Sequence, residues 1–185
     1  MTGLTVLVQG GAGAVGNAAV QLARWSGATV VTTVSSATKE SLAKAAGAHH
    51  VIDYRQGDAE SAVRAAAPDG VDLVVEVAPA QNNALDLAVV KTGGTVSIYA
   101  KHGGDEYTVP ILDTYFKNLR YQYLVLCSLH AEAVARAASD VTAAIATGGF
   151  RIGESGLPIH HFPLVEAAVA QDAVERGAVG KVLWT

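Results

Sequence analysis

The chain has 185 residues, half of them apolar and 16% charged, with a formal net charge of −4. That composition excludes a disordered chain and provides for one sizeable core. No basic run favours nucleic acid or an anionic membrane, and no apolar stretch approaches the roughly 18 residues of a membrane span.

The N-terminus runs at once into a strand and a glycine loop, so no signal peptide is expected. Thr5–Gln9 reads as a strand and Ala14–Trp25 as a helix. Thr29–Val34 is a second strand, Thr38–Ala46 a second helix and His50–Asp53 a short third strand. Asp58–Ala67 follows as a helix stopped by Pro68, Asp69 and Gly70. Val71–Glu76 reads as a buried strand and Asn82–Val90 as a helix, and Gly93 and Gly94 mark a turn into the strand Thr95–Tyr99. Asp113–Lys117 is a short helix and Tyr121–Leu126 a sixth strand. Ala131–Thr147 is a long Ala-rich helix ended by Gly148 and Gly149.

This alternation implies βαβ units and a parallel sheet. Runs such as Val71–Val75 fit a sheet covered on both faces. The rhythm predicts an α/β, Rossmann-type doubly wound sheet over residues 1–150. It has six parallel strands in the order 3-2-1-4-5-6, with helices on both faces. Residues 151–185 form a different tail. Its helix Leu164–Arg176 and terminal strand Lys181–Trp184 have no place in the alternating sheet.

The strongest motif is Gly10-Gly11-Ala12-Gly13-Ala14-Val15-Gly16, in which Gly11, Gly13 and Gly16 satisfy G-x-G-x-x-G. It follows a strand and opens a helix, the context that a dinucleotide-binding loop requires. Gly11 permits the tight turn, Gly13 lets the backbone approach a pyrophosphate, and Gly16 lets the helix pack close to the strand. The helix N-terminus presents free N–H groups and a positive dipole end to phosphates. The plainer alternative is a tight turn with no ligand.

An NAD site usually carries Asp or Glu at the end of the second strand, for the ribose 2′-hydroxyl. Here the chain reads Thr32-Thr33-Val34-Ser35-Ser36-Ala37-Thr38-Lys39, with no acid before Glu40. Hydroxyls and a lysine suit the 2′-phosphate of NADPH instead. The plainer reading is a serine N-cap and a solvated lysine, and Ser35 or Ser36 could both cap and bind.

Several motifs are missing. No Tyr-x-x-x-Lys pair points to a short-chain dehydrogenase, and no Gly-x-Ser-x-Gly elbow to a hydrolase. The lone Cys127 forms no internal disulfide and suits a reducing compartment, the cytoplasm by default. It also cannot build a thiolate zinc site, and no metal is expected. His49-His50 and His160-His161 are adjacent pairs that point apart, so they read as surface or loop histidines.

Taken together, "VLVQGGAGAVG" at Val6–Gly16, "QLARWSGATVV" at Gln21–Val31, "GAHHVIDYR" at Gly47–Arg55, "GGTVSIY" at Gly93–Tyr99 and the ending His161–Trp184 carry a resemblance. The sequence resembles the cofactor-binding half of zeta-crystallin-like quinone oxidoreductases, in the medium-chain dehydrogenase/reductase superfamily. The resemblance covers essentially the whole chain. It implies that the Ala14 and Val15 amides lie over the pyrophosphate, and that Ser36, Lys39 and Tyr54 bind the 2′-phosphate. Ala78 and Pro79 would lie near the adenosine side, although Pro79 and Ala80 depart from the more usual Val-Gly. Tyr99–Lys101 and Leu126–Cys127 would flank the nicotinamide, and Gly180 and Lys181 match the family's terminal Gly-Lys near the cofactor. Cys127 reads as a small apolar residue rather than a nucleophile.

Family members carry a GroES-like catalytic domain before the glycine loop, whereas here Met1 stands four residues before the first strand. That domain is expected to be absent from this chain, with much of the substrate pocket, and the tail would normally pack with it. The implied activity is NADPH-dependent, zinc-independent hydride transfer to a small molecule, a quinone or an activated alkene, with the chain alone incomplete for turnover. No residue is singled out as a general acid or base. A dinucleotide-binding module without turnover, sensor or structural, is the alternative. A methyltransferase fits less well, for want of an acid after the second strand. The strand Tyr121–Leu126 has apolar groups on both faces at a sheet edge, which invites pairing across a two-fold axis. The resemblance also implies a homodimer there.

Overall fold

The computed structural model describes residues 1–153 and 156–185. Glu154 and Ser155, inside the expected tail, lie outside the described residues.

The strands β1 (Thr5–Val8), β2 (Thr29–Val34), β3 (His50–Asp53), β4 (Val71–Glu76), β5 (Val90–Ile98) and β6 (Arg120–Tyr123) form one sheet in the order β3-β2-β1-β4-β5-β6. Every neighbouring pair is parallel. The predicted doubly wound α/β sheet is therefore present. Alternation along each strand covers both faces. Leu7 and Val31 join one cluster with Val63, Val74 and Val89, whereas Val6, Val8 and Val30 join another with Val20 and Ala23. The first cluster receives α3 (Ala59–Ala66) and α4 (Pro79–Val89), and the second receives α1 (Ala14–Trp25). Burying one such valine contributes about 1.5–3 kcal/mol. α2 (Ala37–Ala45) packs through Ala43 against Val34 and Ala12.

Several boundaries differ from expectation. α4 starts at Pro79 rather than Asn82, because proline fits the first turn, where its missing N–H is no loss. β5 begins at Val90, and a register shift lets the strand run through Gly93 and Gly94 instead of turning there. The expected strand Tyr121–Leu126 ends at Tyr123, and Leu126–Ser128 forms a 3-10 turn. The helices α5 (Ile111–Phe116) and α6 (Ala131–Ala146) lie within a few residues of expectation.

The tail forms its own two-stranded parallel sheet. β7 (Ile159–Phe162), which had no counterpart in the sequence reading, pairs with β8 (Lys181–Trp184). The expected helix Leu164–Arg176 divides into a 3-10 turn, Leu164–Glu166, and α7 (Ala167–Glu175). Gln21 of α1 anchors the start of the tail: its Oε1 accepts from Arg151 N–H at 2.7 Å and its Nε2 donates to Arg151 O at 3.1 Å. No helix among the described residues is long and apolar enough to cross a membrane.

Candidate cofactor site

The carboxyl ends of β1 to β6 open on one side of the sheet, where ligands of this topology bind. The loop after β1 carries the glycines. Gly10, not Gly11, takes the left-handed conformation of the turn, with φ 71°. A Cβ on Gly11 would stand 2.1 Å from Thr32 Oγ1, so Gly11 is required by its close approach to β2. At Gly16 a Cβ would meet Gly10 O at 2.3 Å. That contact is with the loop backbone rather than with the strand. A Cβ on Gly13 would meet only Gly10 O, at 3.3 Å.

Gly13 is also the N-cap of α1 and offers no side chain to the helix. The first bond of the helix runs from Asn17 N–H to Gly13 O at 2.8 Å. The Ala14, Val15 and Gly16 amides thus precede the ladder and face outward at the positive end of the helix. Val15 is half exposed and Gly13 exposed. An anionic group fits this cradle.

β2 ends beside that loop. Gly11 N–H donates to Thr33 O at 3.1 Å and Gly10 N–H to Thr33 Oγ1 at 3.1 Å. Ser36 is the N-cap of α2 and accepts from Lys39 N–H at 3.4 Å. Lys39 Nζ donates to Ser35 Oγ at 3.0 Å. The serine N-cap expected at this position is Ser36. The register Val34 to Asp53 brings Tyr54 alongside, and its N–H donates to Val34 O. Tyr54 is 51% exposed. The nearest carboxylate on α2, Glu40, pairs instead with Lys44 at 2.5 Å. Two serine hydroxyls and one ammonium therefore stand where an NAD site would place an acid, with the Tyr54 backbone alongside.

Ala78 is buried at the N-cap of α4, and its N–H donates to Glu76 Oε1. Tyr99 follows β5 and donates its N–H to Glu76 O. Burial and the Glu76 charge push the Tyr99 hydroxyl up to about 12, so it stays protonated at neutral pH. Lys101 is exposed and pairs with Asp105. Leu126 and Cys127 are exposed on the 3-10 turn after β6.

Gly180 and Lys181 lie on the small sheet. Lys181 N–H donates to Pro158 O at 2.8 Å, and a Cβ on Gly180 would meet that same oxygen at 2.4 Å. No hydrogen bond among the described residues joins them to the glycine loop. His160 and His161 are exposed, as expected, and belong to β7. His49 is structural: its Nδ1 accepts from Val30 N–H at 2.9 Å.

Sequence reasoning missed the polar layer beneath the loop, formed by Gln9, Thr33, Glu76 and Asp86, all buried. The available signal was acids and amides at positions where the strand and helix patterns call for apolar side chains.

The family described as zinc-binding dehydrogenase matches residues 14–143. The chain is similar to the quinone oxidoreductase of Sus scrofa, 30% identical over 186 residues that cover 98% of this chain and 54% of that protein. It is similar to the solved quinone oxidoreductase of Pseudomonas syringae, with TM-score 0.85, 26% identity, and 99% of this chain against 57% of that one covered. It is also similar to a mycobacterial protein solved in complex with NADPH, with TM-score 0.85, 28% identity, and 99% of this chain against 56% of that one covered. The chain spans about half the length of the curated relatives it matches.

Proposed function

Because the chain belongs to the zinc-binding dehydrogenase family, we propose that it is the cofactor-binding domain of an NADPH-dependent oxidoreductase acting on a quinone or an activated alkene. The observation that carries this reading is the pairing of an open glycine loop with a corner after β2 where Ser35, Ser36 and Lys39 stand in place of an acid. Among the described residues no His, Cys, Asp or Glu cluster could hold a metal. Zinc independence is part of the same proposal and rests on the resemblance of the sequence alone.

When bound, NADPH supplies the hydride. The chain's own part is to bind, orient and polarise. The Ala14 and Val15 amides, with Gly11, Gly13 and Gly16 keeping the path clear, would hold the pyrophosphate. Lys39, Ser36 and Tyr54 would hold the 2′-phosphate. Ala78 would border the adenosine, and Tyr99, Lys101, Leu126 and Cys127 the nicotinamide. Tyr99 would act as a neutral hydrogen-bond donor. Gly180 and Lys181 would approach from the tail.

In this reading residues 1–150 are the dinucleotide domain, and the tail, residues 151–185, packs with a GroES-like half. The exposed groove of α7 and β8, lined by Val174, Leu183 and Trp184, supports such a cover. A homodimer through β6 is supported by Tyr123, Val125 and Leu126, exposed beside Ile111, Tyr115 and Phe116 of α5. The single exposed thiol supports a reducing compartment, the cytoplasm.

The test is NADPH oxidation with a quinone, using this chain alone and with a relative's GroES-like half added. Turnover only with both halves supports the reading. Tight NADPH binding without turnover in either case contradicts it in favour of a non-catalytic module.

A further inference from the structure

Two carboxyl groups lie fully buried beneath the crevice. Glu76 closes β4, and Asp86 stands on α4. Glu76 Oε1 accepts from Ala78 N–H, and from Asn82 Nδ2 at 3.0 Å. Asp86 Oδ1 accepts from Gln9 Nε2 at 2.7 Å. The second oxygen of each, Glu76 Oε2 and Asp86 Oδ2, is buried without a donor among the described residues. Two ionised carboxyls in contact at full burial would repel strongly. One proton between them removes the repulsion and satisfies both orphan oxygens. Glu76 already receives two hydrogen bonds and Asp86 one, so the proton belongs on Asp86. Burial and the adjacent Glu76 carboxyl push Asp86 well above the usual carboxylate range, in agreement.

The other groups facing the pair are Gln9 just after β1, Tyr99 after β5, Tyr107 from the loop before α5, and Tyr121 of β6. All three phenols are held protonated by burial, and none of these groups is a cation.

From Asp86 the bonds run upward into the site. Gln9 Oε1 accepts from Thr33 Oγ1 at 2.6 Å, and Thr33 Oγ1 accepts from Gly10 N–H. On the other side Glu76 holds the Ala78 amide. One connected network thus sets the turn of the glycine loop, the end of β2 and the loop after β4. Such networks depend on every member being satisfied.

We propose that Asp86 is a positioning residue whose proton, shared with Glu76, holds the glycine loop and the Ala78 corner in the cofactor-binding geometry. The inference rests on the crevice being a dinucleotide site. It predicts that affinity falls when the proton leaves. The folded chain keeps a proton that the unfolded chain releases near the ordinary value of 3.8. Stability from this group is therefore complete below that value and declines as pH rises towards the raised folded value.

Asp86→Asn is the isosteric test, since its amide can donate to Glu76 Oε2 while its carbonyl accepts from Gln9. Asp86→Leu leaves Gln9 Nε2 and Glu76 Oε2 unpaired. The first readout is the infrared carbonyl band of a protonated carboxylic acid in the unliganded chain, followed from neutral to alkaline pH. The second is NADPH affinity over the same range. The wild type is expected to show the band at neutral pH and to lose affinity about tenfold as the band disappears. Asp86→Asn is expected to lack the band and to bind with a flat pH profile. Asp86→Leu is expected to bind at least about tenfold more weakly at every pH. An absent band with normal NADPH binding, or a profile of Asp86→Asn that parallels the wild type, overturns the positioning role alone. An intact band with no dinucleotide binding at any pH overturns the dinucleotide reading, and the positioning role with it.

Discussion

Adding one methyl group at Gly13 or at Gly16 separates a loop that binds a ligand from a loop that merely turns. At Gly16 the new Cβ stands 2.3 Å from Gly10 O, 2.9 Å from Gly10 C and 3.1 Å from Gly11 Cα. All three are backbone atoms, so no side-chain rotation relieves the clash. Overpacking of this kind costs about 3 kcal/mol. At about 2–4 °C per kcal/mol for a domain of this size, Gly16→Ala should melt about 6–12 °C lower. At Gly13 the new Cβ meets only Gly10 O at 3.3 Å, and the backbone, with φ −74° and ψ 164°, is one that alanine adopts freely. The fold should lose less than about 1 kcal/mol, the difference between a glycine and an alanine N-cap. The methyl nonetheless projects into the path of the pyrophosphate, and NADPH affinity should fall at least about tenfold, or about 1.4 kcal/mol. Circular dichroism melts and calorimetric titration below both melting points read the two effects. A Gly13→Ala variant that binds like the wild type would refute the approach of phosphate to this glycine. A Gly16→Ala variant that melts like the wild type would refute the close packing of loop on helix.

Three other outcomes follow from the same structure. Leu124 N–H is committed to Ile98 O at 2.8 Å within the sheet, so a proline there would damage the fold as well as the edge. Val125→Arg, at a site 59% exposed, should instead convert a dimer to a monomer in sedimentation with the melting point of the dissociated chain unchanged. An unchanged dimer would place the interface elsewhere. Burial, and then the Arg24 charge, lower the His49 pKa from 6.5. His49 therefore stays neutral in the folded chain, and its contribution, present above that value, is lost as pH falls through it towards the lower folded value. His49→Gln should flatten that slope in melts across the acid range, and an unaltered slope would refute it. Ser36→Ala removes a long capping bond of 3.4 Å and should cost about 0.5 kcal/mol in denaturant unfolding, with NADPH affinity falling as well. A loss of stability with no loss of affinity would leave Ser36 a cap only.

The sheet was legible because its signals are local and repeated. The bounds of α1, β2, β3 and β4 matched residue for residue, since α1 is an amphipathic run closed by Ser26, β2 is a β-rich run closed by Ser35, and β3 and β4 are short β-rich runs. β7 was not legible: Ile-His-His-Phe between two prolines has neither strict alternation nor an apolar run, and only its pairing with β8 makes it a strand. The extra length of β5 depends on a bulge that admits Gly93 and Gly94, and their identity alone reads as a turn. In the site, the glycines and the Ser36–Lys39 corner stood out because their spacing is fixed by the backbone. Gly10 was hidden by its neighbours, since any of four loop glycines could have carried the positive φ. The Glu76–Asp86 pair, ten residues apart in sequence, meets only after α4 folds back on β4.

The central claim is that the crevice binds NADPH in preference to NADH, and calorimetric titration of both into the purified chain and its Lys39→Glu variant tests it most directly. NADPH should bind at least about tenfold more tightly than NADH, with that preference lost in Lys39→Glu while NADH binding changes little. Equal affinity for the two cofactors, or an NADPH preference that survives Lys39→Glu, would contradict it.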